Sequence, residues 1–139
     1  MIQRMQTVWL LLATVSAFLT CKLSFFSGNI IGDDKIKVFS QLTASFNLIL
    51  LVLTVILGSV SFLAIFLYKN RKLQLRITLA AILLSIVIPI LYYMQAQKFV
   101  EGTYSITAVI SILIPVLLIL AARGINSDQK LVKSLDRLR

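Results

Sequence analysis

Four long stretches of this chain carry no charged residue: residues 5–21, 38–68, 77–97 and 102–122 contain no Asp, Glu, Lys or Arg. An α-helix rises about 1.5 Å per residue and the hydrocarbon layer of a bilayer is about 30 Å thick, so roughly 20 apolar residues cross it. The last three stretches meet that length outright. The first meets it if its helix continues past Lys22 through Leu23, Phe25 and Phe26, with the Lys22 ammonium reaching the far headgroups. Held at mid-bilayer the same lysine would cost about 2.5–3.5 kcal/mol. The expected spans are therefore residues 5–26, 45–68, 77–95 and 104–122, with residues 38–44 left at the outer interface. Composition points to the same solvent. Hydrophobic residues make up 59% of the chain and mean hydropathy is +0.96, against about 45–50% apolar content in soluble domains.

Basic residues near span ends are retained on the cytoplasmic side, so their distribution gives an orientation. With the N-terminus inside, that side holds Arg4, then Lys69, Arg71, Lys72 and Arg76, then Arg123, Lys130, Lys133, Arg137 and Arg139, which is ten of the 14 Lys and Arg residues. Lys22, Lys35, Lys37 and Lys98 remain outside, partly balanced by Asp33, Asp34 and Glu101. Both termini are thus expected in the cytoplasm. Aromatic residues favour the headgroup layer; Phe25, Phe26, Phe39, Tyr92, Tyr93, Phe99 and Tyr104 fall at the outer border of these spans and Trp9, Phe66 and Tyr68 nearer the inner one.

Lipid removes the usual hydrophobic drive for helices to associate, and close packing then depends on small residues recurring on one face. Ala13, Ala17 and Cys21 form such a stripe in the first span, Thr54 and Gly58 in the second, Ala81, Ser85 and Pro89 in the third, and Thr107, Ser111 and Pro115 in the fourth. Pro89 and Pro115 each remove a backbone donor inside a span. A kink is expected at each, with the Ser85 and Ser111 hydroxyls four residues earlier helping to satisfy freed backbone groups. Asn47, Ser59 and Ser61 are expected to bond between helices. The fold class that results is all-α: a four-transmembrane-helix domain over residues 1–125, followed by a cytoplasmic tail over residues 126–139.

Residues for chemistry are scarce. There is no His, and Cys21 is alone, which excludes a disulfide, a paired-thiol redox site and a Cys/His metal site within one chain. Ion-coupled transport needs an ionisable group inside the membrane, and the four spans have none when Lys22 reaches the headgroups. No catalytic residue, cofactor or metal site is expected, and the chain reads as a non-enzyme. The distinctive residues lie on the basic side. Ser127 is a good helix N-cap and Asp128 suits a first turn. Beyond them Leu131, Val132, Leu135 and Leu138 recur at helical spacing, with Lys130, Lys133, Arg137 and Arg139 elsewhere on the wheel. This pattern predicts a short basic amphipathic helix.

Met1-Ile2-Gln3-Arg4, the loop Lys69-Asn70-Arg71-Lys72-Leu73-Gln74, and the tail from Leu120-Ala121-Ala122-Arg123-Gly124-Ile125 to Leu131-Val132-Lys133-Ser134-Leu135-Asp136-Arg137-Leu138-Arg139 resemble a family of small four-span Bacteroidetes inner-membrane proteins, domain of unknown function family 4293. The resemblance covers the whole chain and implies a multi-pass protein of the bacterial inner membrane. It implies no activity, cofactor or catalytic residue.

The expected role is that of a non-catalytic membrane subunit or scaffold. Its basic face, formed by Lys69, Arg71, Lys72, Arg76, Arg123, Lys130, Lys133, Arg137 and Arg139, would bind anionic phospholipid of the inner leaflet or a larger complex, such as secretion machinery. RNA of a ribosome has the same charge, and basic clusters bind phosphate without sequence readout. The alternative is a small oligomeric carrier or lipid-binding protein, with a cavity beside Ser85, Pro89, Ser111 and Pro115.

Overall fold

The computed structural model describes residues 3–31 and 37–136, with side chains described for 5–30 and 37–132. In chain order, α1 (Gln3–Leu19) leads into strands β1 (Phe26–Ile31) and β2 (Lys37–Leu42), a 3-10 turn (Ala44–Phe46) and α2 (Leu48–Phe66). A second 3-10 turn (Leu67–Lys69) precedes α3 (Arg71–Ala96), β3 (Glu101–Tyr104) and α4 (Ala108–Asp136). The helices α2 to α4 supply three segments long and apolar enough to cross a membrane: Leu48–Lys69, Arg71–Ala96 and Ala108–Val132, with mean hydropathies of 2.8, 2.3 and 2.5. Helix α1 is shorter.

Each helix packs on two others: α1 on α2 and α4, and α3 on α2 and α4. The faces turned inward are the small-residue stripes. Ala13, Ala17, Thr54, Gly58, Ala81, Ser85 and Ser111 are all buried, so backbones approach closely where lipid offers no competing advantage. Larger side chains such as Leu10, Leu50, Leu57 and Leu118 fill the centre. The opposite faces, with Leu11, Val15, Ile56, Leu83 and Val116, are exposed and apolar. In water so much apolar surface would drive aggregation; against acyl chains it costs nothing.

Four sequence expectations change. The fold is not all-α, because β2, β1 and β3 form an antiparallel sheet in that order. Backbone that leaves the helices has polar groups to satisfy, and these three connecting segments satisfy them on one another. Gly28 faces Gly102 across the β1–β3 pair, and a Cβ on Gly28 would lie 2.7 Å from the Gly102 Cα, so only glycine allows this approach. The expected border aromatics cover the junction of sheet and helices: Phe25 stacks on Tyr92 at 4.7 Å, and Phe26 meets Phe99 and Tyr104 edge-on at 5.2 and 5.0 Å.

Second, the first helix does not run to residue 26. It ends at Leu19, and the Cys21 and Lys22 amides close a turn on the Phe18 and Leu19 carbonyls. That turn leaves Lys22 exposed and delivers Phe25 to the sheet, where its N–H donates to the Leu42 carbonyl at 2.7 Å. Third, no separate tail helix starts at Ser127. Helix α4 runs unbroken through residues 125–128 to Asp136, because Asp128 is drawn into the helical body rather than capping a new turn. Residues 137–139 of the expected tail lie outside the described residues.

Fourth, hydroxyls bond within their own helices. Thr14, Thr78 and Ser59 donate to carbonyls four residues back, at 2.8, 2.9 and 2.8 Å. Asn47 caps α2 by accepting from the Ile49 N–H at 3.1 Å, and the Ser61 hydroxyl is buried with no partner among the described residues. Ser85 donates to Ile82 at 2.7 Å rather than serving a group freed by Pro89, and α3 and α4 continue through Pro89 and Pro115.

Candidate functional site

At the end of the helical body opposite the sheet, polar side chains tie all four helices together. The last carbonyls of a helix have no partner within it; the Ala64 carbonyl in the last turn of α2 accepts from Gln74 Nε2 of α3 at 2.9 Å. Gln6 of α1 donates through Nε2 to Asp128 Oδ2 of α4. It passes over Gly124, where a Cβ would lie 2.8 Å from the Gln6 Cγ. Arg71, at the start of α3, donates through Nη1 to the Asp128 carbonyl at 3.0 Å. Gln6, Gln74, Thr78 and Asp128 are all buried. A carboxylate is therefore inside the helical body, which the charge-free spans did not suggest.

The sequence did carry a signal for this cluster. On α3 the buried face runs Gln74, Thr78, Ala81, Ser85, Ile88, and on α4 it runs Ser111, Ile114, Leu118, Ala121, Ile125, Asp128. Continuing each small or apolar stripe by one or two turns at spacings of three and four reaches Gln74 and Asp128.

Next to this cluster is a cleft of about 630 Å³ lined by Lys69, Asn70, Arg71, Lys72, Leu73 and Arg76, with Gln129 and Val132 of α4 on its far wall. The 3-10 turn and the start of α3 crowd four cations into eight residues with no acid among them. The nearby Asp128 side chain accepts from Gln6, and among the described residues it forms no ion pair with any of the four. The Asn70 side chain makes no capping bond, so the first amides of α3 and the positive end of its dipole add to the field. Such a surface suits an anion.

The nine basic residues expected to form one face thus divide. Lys69, Arg71, Lys72 and Arg76 share the cleft. Arg123 lines a separate groove of about 440 Å³ with Leu75, Leu79, Ile82, Ile119, Ala122 and Asn126. Lys130 is exposed on α4. Lys133, Arg137 and Arg139 have side chains outside the described residues. Of the group expected around the prolines, Ser85 and Ser111 are buried and Pro89 and Pro115 half-buried. Neither the cleft, the groove nor a third, apolar hollow of about 560 Å³ between α1 and α2 contains any of the four.

At the sheet end, Lys37 Nζ of β2 bonds Glu101 Oε1 of β3 at 2.8 Å across the central strand. The Lys37 hydrogen bond and charge, with a further bond from Asn29, hold the Glu101 carboxyl below its ordinary value. This pair is exposed and reads as structural. Among the described residues no group of three His, Cys, Asp or Glu side chains is placed to hold a metal ion.

The model of one protein family, described as "Domain of unknown function (DUF4293)", matches residues 2–138. The chain belongs to this family. The family match covers both the helical body and the basic cleft, so the site is part of the family's domain rather than an appendage. Neither a curated protein nor a solved structure matches the chain.

Proposed function

We propose that this DUF4293 protein is a non-catalytic integral subunit or scaffold of the bacterial inner membrane. It crosses four times with both termini in the cytoplasm, and its basic cytoplasmic face binds a negatively charged partner, a protein complex or anionic lipid. One observation carries the reading: the cleft gathers Lys69, Arg71, Lys72 and Arg76, while the neighbouring Asp128 side chain bonds Gln6 rather than pairing with any of them. Cations crowded with no ion-paired carboxylate among the described residues repel one another, and that cost is recovered when an anion binds. A crossing by α1 is supported by its exposed apolar face, with Met5, Val8, Leu12 and Phe18. Its 17 residues give about 26 Å of helix, and the turn after Leu19 extends the reach.

The test is to reverse the charges of Arg71, Lys72, Lys133 and Arg137 in the intact protein and compare what co-purifies in gentle detergent. Loss of partners with normal membrane insertion is the expected result. An unchanged partner set would overturn docking through this face.

A second reading, a small lipid-binding carrier with a cavity near the prolines, draws on Tyr92, whose buried hydroxyl has no partner among the described residues. It predicts ligand density between Ser85, Tyr92 and Ser111 in an experimental map. Continuous side-chain packing there would remove its support.

A further inference from the structure

The basic cleft and the groove beside Arg123 follow one seam between α3 and α4. On α3, Lys72 lines the cleft and Leu75, Leu79 and Ile82 line the groove. On α4, Gln129 lines the cleft and Asn126, Ala122 and Ile119 line the groove. Both sets step by three, four and three residues, which keeps each on a single helix face. The helices run antiparallel, with Arg71 bonded to the Asp128 carbonyl at their shared end. The order 72, 75, 79, 82 therefore runs down the same wall that 129, 126, 122, 119 runs down on the other side.

Polarity changes sharply along this seam. Its first turn is cationic and its last two are apolar, with Leu79 and Ile119 49% and 43% exposed. From Lys72 to Ile82 the helix rises about 15 Å, half the hydrocarbon thickness. Arg76 and Arg123 stand where the cationic section gives way to the apolar one, and both are exposed. Guanidinium groups at that level suit a phosphodiester, which they bind by paired hydrogen bonds.

We propose that this seam holds one anionic phospholipid, its phosphate among Lys72, Arg76 and Arg123 and an acyl chain along Leu79 and Ile119. The assignment rests on reading the basic face as an anion-binding surface, and it names the anion. RNA or an acidic protein would use the cationic section and leave the apolar one idle. A zwitterionic lipid would fill the groove but place its own cation among four others.

The experiment is native mass spectrometry of the full chain in mild detergent, with phosphatidylglycerol, phosphatidylcholine or glycerol phosphate added. Three proteins are compared: the unaltered chain, a Lys72→Gln/Arg76→Gln variant, and Ile119→Trp, which fills the groove without touching a charge. All three sites are exposed, and monodispersity and helical circular dichroism confirm folding. One phosphatidylglycerol per chain is expected to survive, at about tenfold or more over phosphatidylcholine, and either variant should lose it by a similar factor. Equal retention of the two lipids overturns the proposal. So does glycerol phosphate displacing the lipid, which would make the site one for free phosphate. If the charge variant loses lipid and Ile119→Trp retains it, the lipid seam fails and the basic docking face stands. If neither variant changes lipid retention, the seam fails, and the docking face is then judged by its co-purifying partners alone.

Discussion

The Gln6 amide of α1 donates to the Asp128 carboxylate of α4 across a sequence separation of 122 residues, joining the two ends of the chain inside the helical body. This contact explains why α4 does not break before Asp128. Ending the helix there would free the carboxylate from its amide, and the Arg71 guanidinium from the adjoining carbonyl.

Removing the amide leaves a buried carboxylate without its partner, and hydrogen bonds to charged groups contribute about 1.5–3 kcal/mol. Gln6→Ala is therefore expected to destabilise the protein by about that amount, read as a lower melting temperature in detergent. Asp128→Asn keeps the shape and an acceptor oxygen, and should cost clearly less. Equal losses from the two would mean that the charge of Asp128 and its amide partner have no special relation.

The sheet end offers a steric test. A side chain at Gly28 would collide with the backbone of Glu101 and Gly102, and backbone cannot swing aside as a flexible side chain can. Gly28→Val is expected to part β1 from β3 at a cost of about 1–3 kcal/mol, the usual range for overpacking. Limited proteolysis should then cut between residues 98 and 106, a segment protected in the unaltered chain by the β1–β3 pairing.

These two contacts mark where the sequence was legible and where it was not. Apolar length and small-residue stripes were enough to place α2, α3 and α4 and the faces they bury, because lipid thickness and close packing act on any one helix by itself. The sheet was hidden. Phe26–Ile31, Lys37–Leu42 and Glu101–Tyr104 are short, and each becomes a strand only once the helices have brought the other two alongside. The end of α1 before Lys22 was hidden for the same reason, since the Leu42 carbonyl that draws Phe25 away is 17 residues further along. At the basic end the loop Lys69 to Arg76 was readable as an anion-binding run, yet the role of Asp128 was not. A cap and a buried acceptor look alike until the partner helix is known.

The Lys37–Glu101 pair gives a pH dependence with a definite sign. Glu101 is held below its ordinary value of 4.5, first by the hydrogen bond from Lys37 and then by its charge. A carboxyl lowered in the folded state contributes stability above its unfolded pKa and loses it as pH falls through the folded one. The contribution should therefore be complete at neutral pH and fade below about 4.5. Carboxyl titration by NMR in Lys37→Gln should move the Glu101 midpoint upward toward the ordinary value. An unchanged midpoint would assign the shift to Asn29 instead.

The proposed topology makes the remaining prediction, and it separates the two ends of the helical body by a membrane. Lys130 and Lys98 are both exposed, one near the basic cleft and the other beside the sheet. In a Cys21→Ser background, Lys98→Cys should react with a membrane-impermeant maleimide in spheroplasts of intact cells. Lys130→Cys should react only after the membrane is opened. The contrast follows from charge: four of the cleft's residues are basic, and inserting them across the bilayer would carry each through a layer where it costs several kcal/mol. Reversed labelling would place the cleft outside the cell, where inner-leaflet lipid and cytosolic partners do not reach it. Equal labelling of both positions would mean that α4 does not cross the membrane, since it is the one helix between Lys98 and Lys130 and a single crossing puts its two ends on opposite sides.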